Sequence, residues 1–398
     1  MADVNILLFI FNIFVFVLCG VLYMIMPQLT RKSFLFGVKI PPEQANCPEA
    51  RSMKKRYTLT CLSGTFFMLI VCIVQFIVRR EITILASMYL PFLIILIGLA
   101  AFIPNWKQAV SLKEKRGWQV SNALFAETGS SYTRGNLSAL PWIWYIAGFV
   151  LVIAAFAIAI VRYPALPEMI AGHMDANLRP TRWVEKTWLN VLTMPIINTA
   201  ILAVMILTAI LIEKARLQID PDKPRLSFAQ HRIYRWRFGH ALGFLSLILV
   251  LFIIIAGLPI LFPDSPVWNA KIFWGNMALL LIPIVVIIAV MVKTGQGGCK
   301  VKIETEGNNT GDQKPVPVHS SLSGNNNSGK ISGGKFGDDK YWILGLVYCN
   351  PDDPAYIVEN RFGAKLGFNY ARLPVKTGMA ILLLGLIAVY VWLTMLVL

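Results

Sequence analysis

Residues 140–186 read LPWIWYIAGFVLVIAAFAIAIV (Leu140–Val161) followed by RYPALPEMIAGHMDANLRPTRWVEK (Arg162–Lys186). The first part is apolar and uncharged over a length that crosses a ~30 Å hydrocarbon layer as a helix. The second part ends that helix, because Pro164 and Pro167 lack an N–H and clash with the turn before them. Gly172–Asp175 reads as a turn, and Trp183 and Trp188 flank the next apolar run, where interfacial aromatics belong. A spanning helix, an ordered loop and a second spanning helix make this a polytopic membrane fold.

The same reading extends outward in both directions. The chain has 398 residues, 56% of them apolar and 15% charged, with a mean hydropathy of +0.62. A soluble domain of this size carries charge on about a quarter of its residues. Eight apolar runs qualify as spans: Asn5–Met26, Leu59–Val78, Ile84–Ile103, Leu140–Val161, Leu192–Ile212, Ala241–Phe262, Phe273–Val292 and Thr377–Leu398. The expected fold is therefore an all-α polytopic membrane protein of eight transmembrane helices, with a small β-rich cytoplasmic module between helices seven and eight. Pro91 and Pro283 predict kinks in the third and seventh spans. Residues 1–292 form a seven-helix membrane region that includes the outer loop 162–187. Residues 293–337 read as a flexible polar linker, 338–374 as the module and 375–398 as the final helix.

A net charge of +16 invites a nucleic-acid reading, but its placement argues otherwise. The odd-numbered connectors hold 30 of the 37 lysines and arginines. The positive-inside rule then places those connectors in the cytoplasm of a plasma-membrane protein, with both termini extracellular. All six cysteines fall in spans or odd connectors, so no disulfide framework is implied. The amino end, MADVN, lacks a positive n-region and reads as a retained anchor.

The connectors add detail. Pro48–Arg56 is a basic helix start, suited to anionic lipid or to a soluble partner. Trp106, Val110, Leu112 and Trp118 alternate with Lys107, Lys113, Lys115 and Arg116, which predicts a helix lying in the inner headgroup layer. HRIYRWRFGH (His231–His240) interleaves cations with aromatics just before a span, the pattern of an interfacial anchor. Lys293–Cys299 lacks the strand and the Gly-Lys-Ser/Thr ending of a phosphate loop and reads as a helix stop. Glu304–Gly334 is low in complexity and too poor in apolar residues to fold. The module then brings β-rich runs at Tyr341–Tyr348, Ala355–Glu359 and Lys365–Tyr370 around Asn350-Pro-Asp-Asp-Pro354.

Two resemblances follow from these residues. Tyr163, Pro164, Leu166, Pro167, Ile170 and His173 resemble the signature of a membrane family, the domain of unknown function 1648. That signature recurs in bacterial immunity proteins against the sporulation-delaying toxin. After the histidine the family continues with a Gly-rich Pro-Asp turn and a Lys, which Asp175–Pro180 and Lys186 match only in part. The module resembles a second uncharacterised domain, 5808, through Asp338, Tyr341 and Trp342, through Asn350, Asp352 and Asp353, and through Arg361, Phe362 and Gly363. The toxin-immunity family implies a protein that protects the cell and can hold a soluble repressor at the membrane. Phe36-Gly-Val-Lys-Ile40 also echoes Phe362-Gly-Ala-Lys-Leu366, by internal repetition or by chance.

No span carries Asp, Glu, Lys or Arg in its centre, which weighs against a proton-coupled transporter. Gln75, Ser87, Asn198, Thr199 and Asn276 are read as interhelical hydrogen-bonding groups. His173 is the only histidine on the outer side and has no helical partner, so no metal site, cofactor or catalytic residue is expected. The expected function is a toxin-immunity or sensor role. Tyr163, Pro164, Pro167, His173 and Asp175 would meet an extracellular peptide or toxin, and the cytoplasmic face a soluble protein. The alternative is a transporter or channel for a small neutral solute or lipid. The first reading predicts a compact outer cap with an exposed apolar groove. The second predicts a polar cavity lined by Asn198, Thr199 and Asn276.

Overall fold

The computed structural model describes residues 2–79, 82–118, 140–174, 178–215, 217, 224–265, 267–303, 339–362 and 366–397. Seven helical segments among them are long and apolar enough to cross a membrane. They are α1 (Ala2–Leu29), α2 (Pro48–Val78), α3 (Thr83–Lys115), α4 (Trp142–Arg162), α5 (Trp188–Lys214), α6 (Pro224–Leu261) and the pair α7 (Ala270–Leu279) with α8 (Leu281–Thr294). The break at Leu280 lies three residues before Pro283, whose missing N–H leaves the Leu279 carbonyl without its helical donor. α3, in contrast, runs without interruption through Pro91 and Pro104.

An eighth apolar run was expected at Thr377–Leu398. It falls in α9 (Leu373–Val397), whose described apolar stretch, Leu373–Gly385, is shorter than a span. The stretch expected to lie as a separate surface helix is instead the end of α3, which continues to Lys115. Ala101, Phe102 and Ala109 stay buried along one side of that helix and hold it on α2. The basic run His231–His240 is likewise the interior of α6, continuous with its apolar half.

The fold is mostly helical, with four two-stranded antiparallel sheets among the described residues: β1 (Phe34–Leu35) with β2 (Val38–Lys39), β3 (Met169–Met174) with β4 (Pro180–Glu185), β5 (Trp342–Ile343) with β6 (Val347–Tyr348), and β7 (Ile357–Glu359) with β8 (Leu366–Phe368). A bridge between Tyr348 and Asn369 ties the last two hairpins into one unit. α1, α2 and α3 form one bundle; α4, α5 and α6, with α7 and α8, form another.

The loop 162–187 departs most from expectation. Gly172–Asp175 was read as a turn, but Met169–Met174 is a strand. Ala171 pairs with Trp183 and His173 with Arg182, so Gly172 is the extra residue of a β-bulge. Glycine is required there for space: a Cβ would lie 2.6 Å from Val184 Cγ1. Asp175 lies outside the described residues, as do Asp338, Gly363 and the low-complexity run Glu304–Gly334.

Candidate functional site

On the hairpin face, Tyr163 and Pro164 sit in a short 3₁₀ turn that follows α4, as the prolines require. The Tyr163 ring stacks on Trp188 at 3.7 Å between centroids, and its hydroxyl donates to the Lys186 carbonyl at 3.4 Å. Lys186 Nζ returns a hydrogen bond to the Leu166 carbonyl at 2.8 Å. These contacts clamp the base of the hairpin. Leu166 and Ile170 are buried against Ala159, Val191 and Leu261, at the ends of three helices. Each such side chain contributes about 1.5–3 kcal/mol to holding the loop down.

The other side of the hairpin is open. Pro167, Met169, Leu178, Pro180 and Trp183 face Pro259, Pro263 and Trp268 across a groove of about 130 Å³. Met169 and Trp183 are about half exposed, and Trp268 is fixed by its indole N–H donating to the Phe262 carbonyl at 2.7 Å. His173 is exposed and is not among the groove's walls; its Nδ1 lies 2.7 Å from Thr181 Oγ1 across the strands. The His173→Ala change should therefore cost no more than about 1 kcal/mol, the value of one exposed hydrogen bond. Thermal unfolding of the purified protein checks this.

Residues 150–199 match the model of a domain of unknown function, DUF1648. The DUF1648 stretch thus takes in most of α4, the whole hairpin and the first half of α5, including the hairpin side of the groove. No curated protein and no solved structure matches the chain. Within the DUF1648 stretch, Asn198 of α5 is buried and donates to the Val250 carbonyl of α6 at 3.1 Å, while its Oδ1 has no partner among the described residues. The cavity that Asn198 lines holds about 30 Å³, room for a water, and its other walls are mainly aliphatic. Thr199 donates to Pro195 within α5, and Asn276 donates to the Phe252 carbonyl of α6; neither lines that cavity. Asn12 and Ser87 join α1 to α3 at 2.8 Å, and Gln75 reaches Thr83 at 3.3 Å.

On the basic face, segments distant in sequence converge on a buried polar junction. Arg31, just beyond α1, donates through Nε to the Gln296 carbonyl at 3.2 Å and through Nη2 to His231 Nε2. The same His231 nitrogen lies 3.6 Å from Glu359 Oε2. Glu359 of β7 lies 3.7 Å from Arg31 and supplies the compensating charge. Gln296 accepts from the Arg31 amide at 3.1 Å and donates to the Asn360 carbonyl. Gly295 does stop α8, with φ +65, yet the following Gln296–Gly298 turn is buried inside this junction. Burial also pushes the thiol of neighbouring Cys299 up from its ordinary range.

A second contact lies alongside. Arg361 is 2% exposed, pairs with Asp339 and packs its guanidinium over Trp342 at 4.8 Å and Phe34 at 5.4 Å. Asp339 also takes Lys113 of α3 at 2.6 Å. Phe362 enters a cluster with Phe36, Tyr57 and Phe102, stacking on Phe36 at 5.6 Å. The echoed Phe-Gly pairs of the sequence thus meet through their phenylalanines. Tyr341 lies beside this contact, packed on the cluster of Trp342, Tyr348 and Val358.

The remaining module residues hold the module itself together. Tyr348 donates to Asp353 at 2.7 Å, Asn350 Oδ1 accepts from the Asp352 amide at 3.0 Å, and Asn369 spans Asn350 and Asp353. Arg31, His231, Gln296 and Glu359 were missed by sequence reasoning. The only hint was the density of glycine around Gln296, which signals close backbone approach as well as helix termination.

Proposed function

We propose that this chain is a membrane protein of the toxin-immunity or sensor type, in which the hairpin groove receives an apolar stretch of an extracellular peptide. The groove walled by Met169, Trp183 and Trp268 is the observation that carries the reading. Tryptophan and methionine are the side chains on which binding energy concentrates, and prolines keep their setting rigid at little entropic cost. The ends of the hairpin add Glu168, Arg179, Arg182 and Glu185, charges that select a partner by complementarity. In this reading the basic face lies in the cytoplasm, where it meets a soluble protein. Both termini are outside and α9 crosses as an eighth span. The module belongs to the second domain that its motifs resemble. The transporter alternative has only the water-sized cavity at Asn198 behind it.

Two measurements test this. Intrinsic fluorescence of the protein in nanodiscs, titrated with a panel of synthetic amphipathic peptides, should show saturable binding that Trp183→Ala weakens about tenfold, or about 1.4 kcal/mol. A panel without a binder, or a Trp183→Ala variant that binds as the parent does, ends the groove reading. For orientation, a single cysteine replacing Lys340 should be silent to an impermeant maleimide in intact cells and react after lysis. Labelling in intact cells reverses the arrangement.

A further inference from the structure

α2 presents a separate feature on its outer side, at the boundary between its basic start and its apolar body. Arg56, Thr60 and Ser63 recur at helical spacing and, with Leu59, Leu62 and Phe66, line an open hollow of about 590 Å³. An arginine at this depth ordinarily moves freely on its stem. Arg56 does not: Nη2 donates to Asn105 Oδ1 at 2.9 Å and to Gln108 Oε1, both on α3. Asn105 is buried and is itself tied down through Nδ2 to the Ala101 carbonyl at 2.8 Å.

Among the described residues no carboxylate pairs with Arg56, and nothing accepts from its Nε or Nη1. Three N–H donors therefore remain on a guanidinium already held in place. The Thr60 and Ser63 hydroxyls donate back into their own helix, at 3.0 and 3.1 Å, so they compete for no donor on Arg56. Leu59, Leu62, Phe66 and Phe67 are half or more exposed along the next two turns. Arg51 and Lys55 of α2 and Lys107 of α3, next to Gln108 in sequence, are exposed.

We propose that this hollow binds one anionic phospholipid. Its phosphate accepts from the Nη1 donors of Arg56, and its acyl chains lie along Leu59, Leu62 and Phe66. A guanidinium held through Nη2 keeps its Nη1 donors in place for a charge-assisted bond to a phosphate oxygen. The flanking cations favour a headgroup of net negative charge over one that brings its own choline cation.

Native mass spectrometry of the purified full chain, with phosphatidylglycerol or phosphatidylcholine added in detergent, tests this. One phosphatidylglycerol should be retained about tenfold better than phosphatidylcholine. Arg56→Gln should bring retention down to the phosphatidylcholine level. Arg56→Lys should keep part of it, and Asn105→Ala, which frees the arginine without removing its charge, should give an intermediate result. Lys115→Gln, an exposed cation elsewhere on α3, should change nothing, and inorganic phosphate should not displace the lipid. Equal retention of the two lipids overturns the proposal. So does a loss in Lys115→Gln as large as in Arg56→Gln, which means diffuse attraction rather than a site. Displacement by phosphate alone likewise replaces a lipid site with a simple anion site.

Discussion

Gly297→Ala is expected to dislodge the C-terminal module from the helices. Gly297 has φ +53, and a Cβ there would lie 2.0 Å from Arg31 Nη2, 2.5 Å from His231 Cε1 and 2.6 Å from Glu359 Oε1. The left-handed backbone costs an alanine about 1–2 kcal/mol. The crowding adds more, because the atoms it meets are not free to swing aside. Arg31 is held by Gln296 and His231, and His231 is 2% exposed. One member of the buried cluster has to leave, and breaking such a pair costs about 3–5 kcal/mol. Gly117→Ala is the matched control, with φ +60 and nothing within 4 Å, so it reports the backbone part alone. Thermal unfolding in detergent, with protease access to residues 339–372 as a second readout, compares the two. Equal losses in both variants would mean that the junction around Gly297 yields easily and holds little.

Glu359→Ala attacks the same junction from the module's side. It removes the Glu359 carboxylate that lies 3.7 Å from the Arg31 guanidinium, whose side chain is 11% exposed. Removing one partner of a buried pair is expected to cost about 3–5 kcal/mol, because the remaining charge stays desolvated. Glu359→Gln should cost less, since the amide still offers an acceptor. The combination of Arg31→Met with Glu359→Leu should recover much of the loss, as apolar replacement of a whole pair often does. Denaturation midpoints of the three variants form the test. A loss under about 1 kcal/mol in Glu359→Ala would put the pair in the class of surface bridges.

The parts of this fold that could be read from the sequence are those whose signal is local. Twenty apolar residues announce a span without reference to anything else, so Leu140–Val161 and its counterparts were legible. Pro164 and Pro283 end or break helices by chemistry that needs no partner. Asn350-Pro-Asp-Asp-Pro announced a turn, and the hydrogen bonds of Asn350 and Asp353 show what the side chains do there. The hairpin was not legible, because β3 and β4 do not alternate apolar with polar residues. Ile170 and Ala171 are buried side by side, and β4 is exposed along nearly its whole length. The polar junction was hidden for another reason. Arg31, His231, Gln296 and Glu359 stand singly in four separate stretches of the chain, and nothing but the folded chain places them together. The groove's far wall, at Pro259, Pro263 and Trp268, is likewise remote from the hairpin it faces.

The seating of Phe362 against Phe36, Tyr57 and Phe102 also bears on how the protein is made. Three rings of that cluster lie within residues 36–102, and the fourth, Phe362, is made only after all the helices from α4 to α8. Contacts of such sequence separation close late, and surface left open meanwhile invites wrong partners. The first bundle must therefore wait in the bilayer with an unfilled aromatic socket on its basic face until the chain has been made as far as Phe362. A chaperone, or speed, has to protect it during that interval.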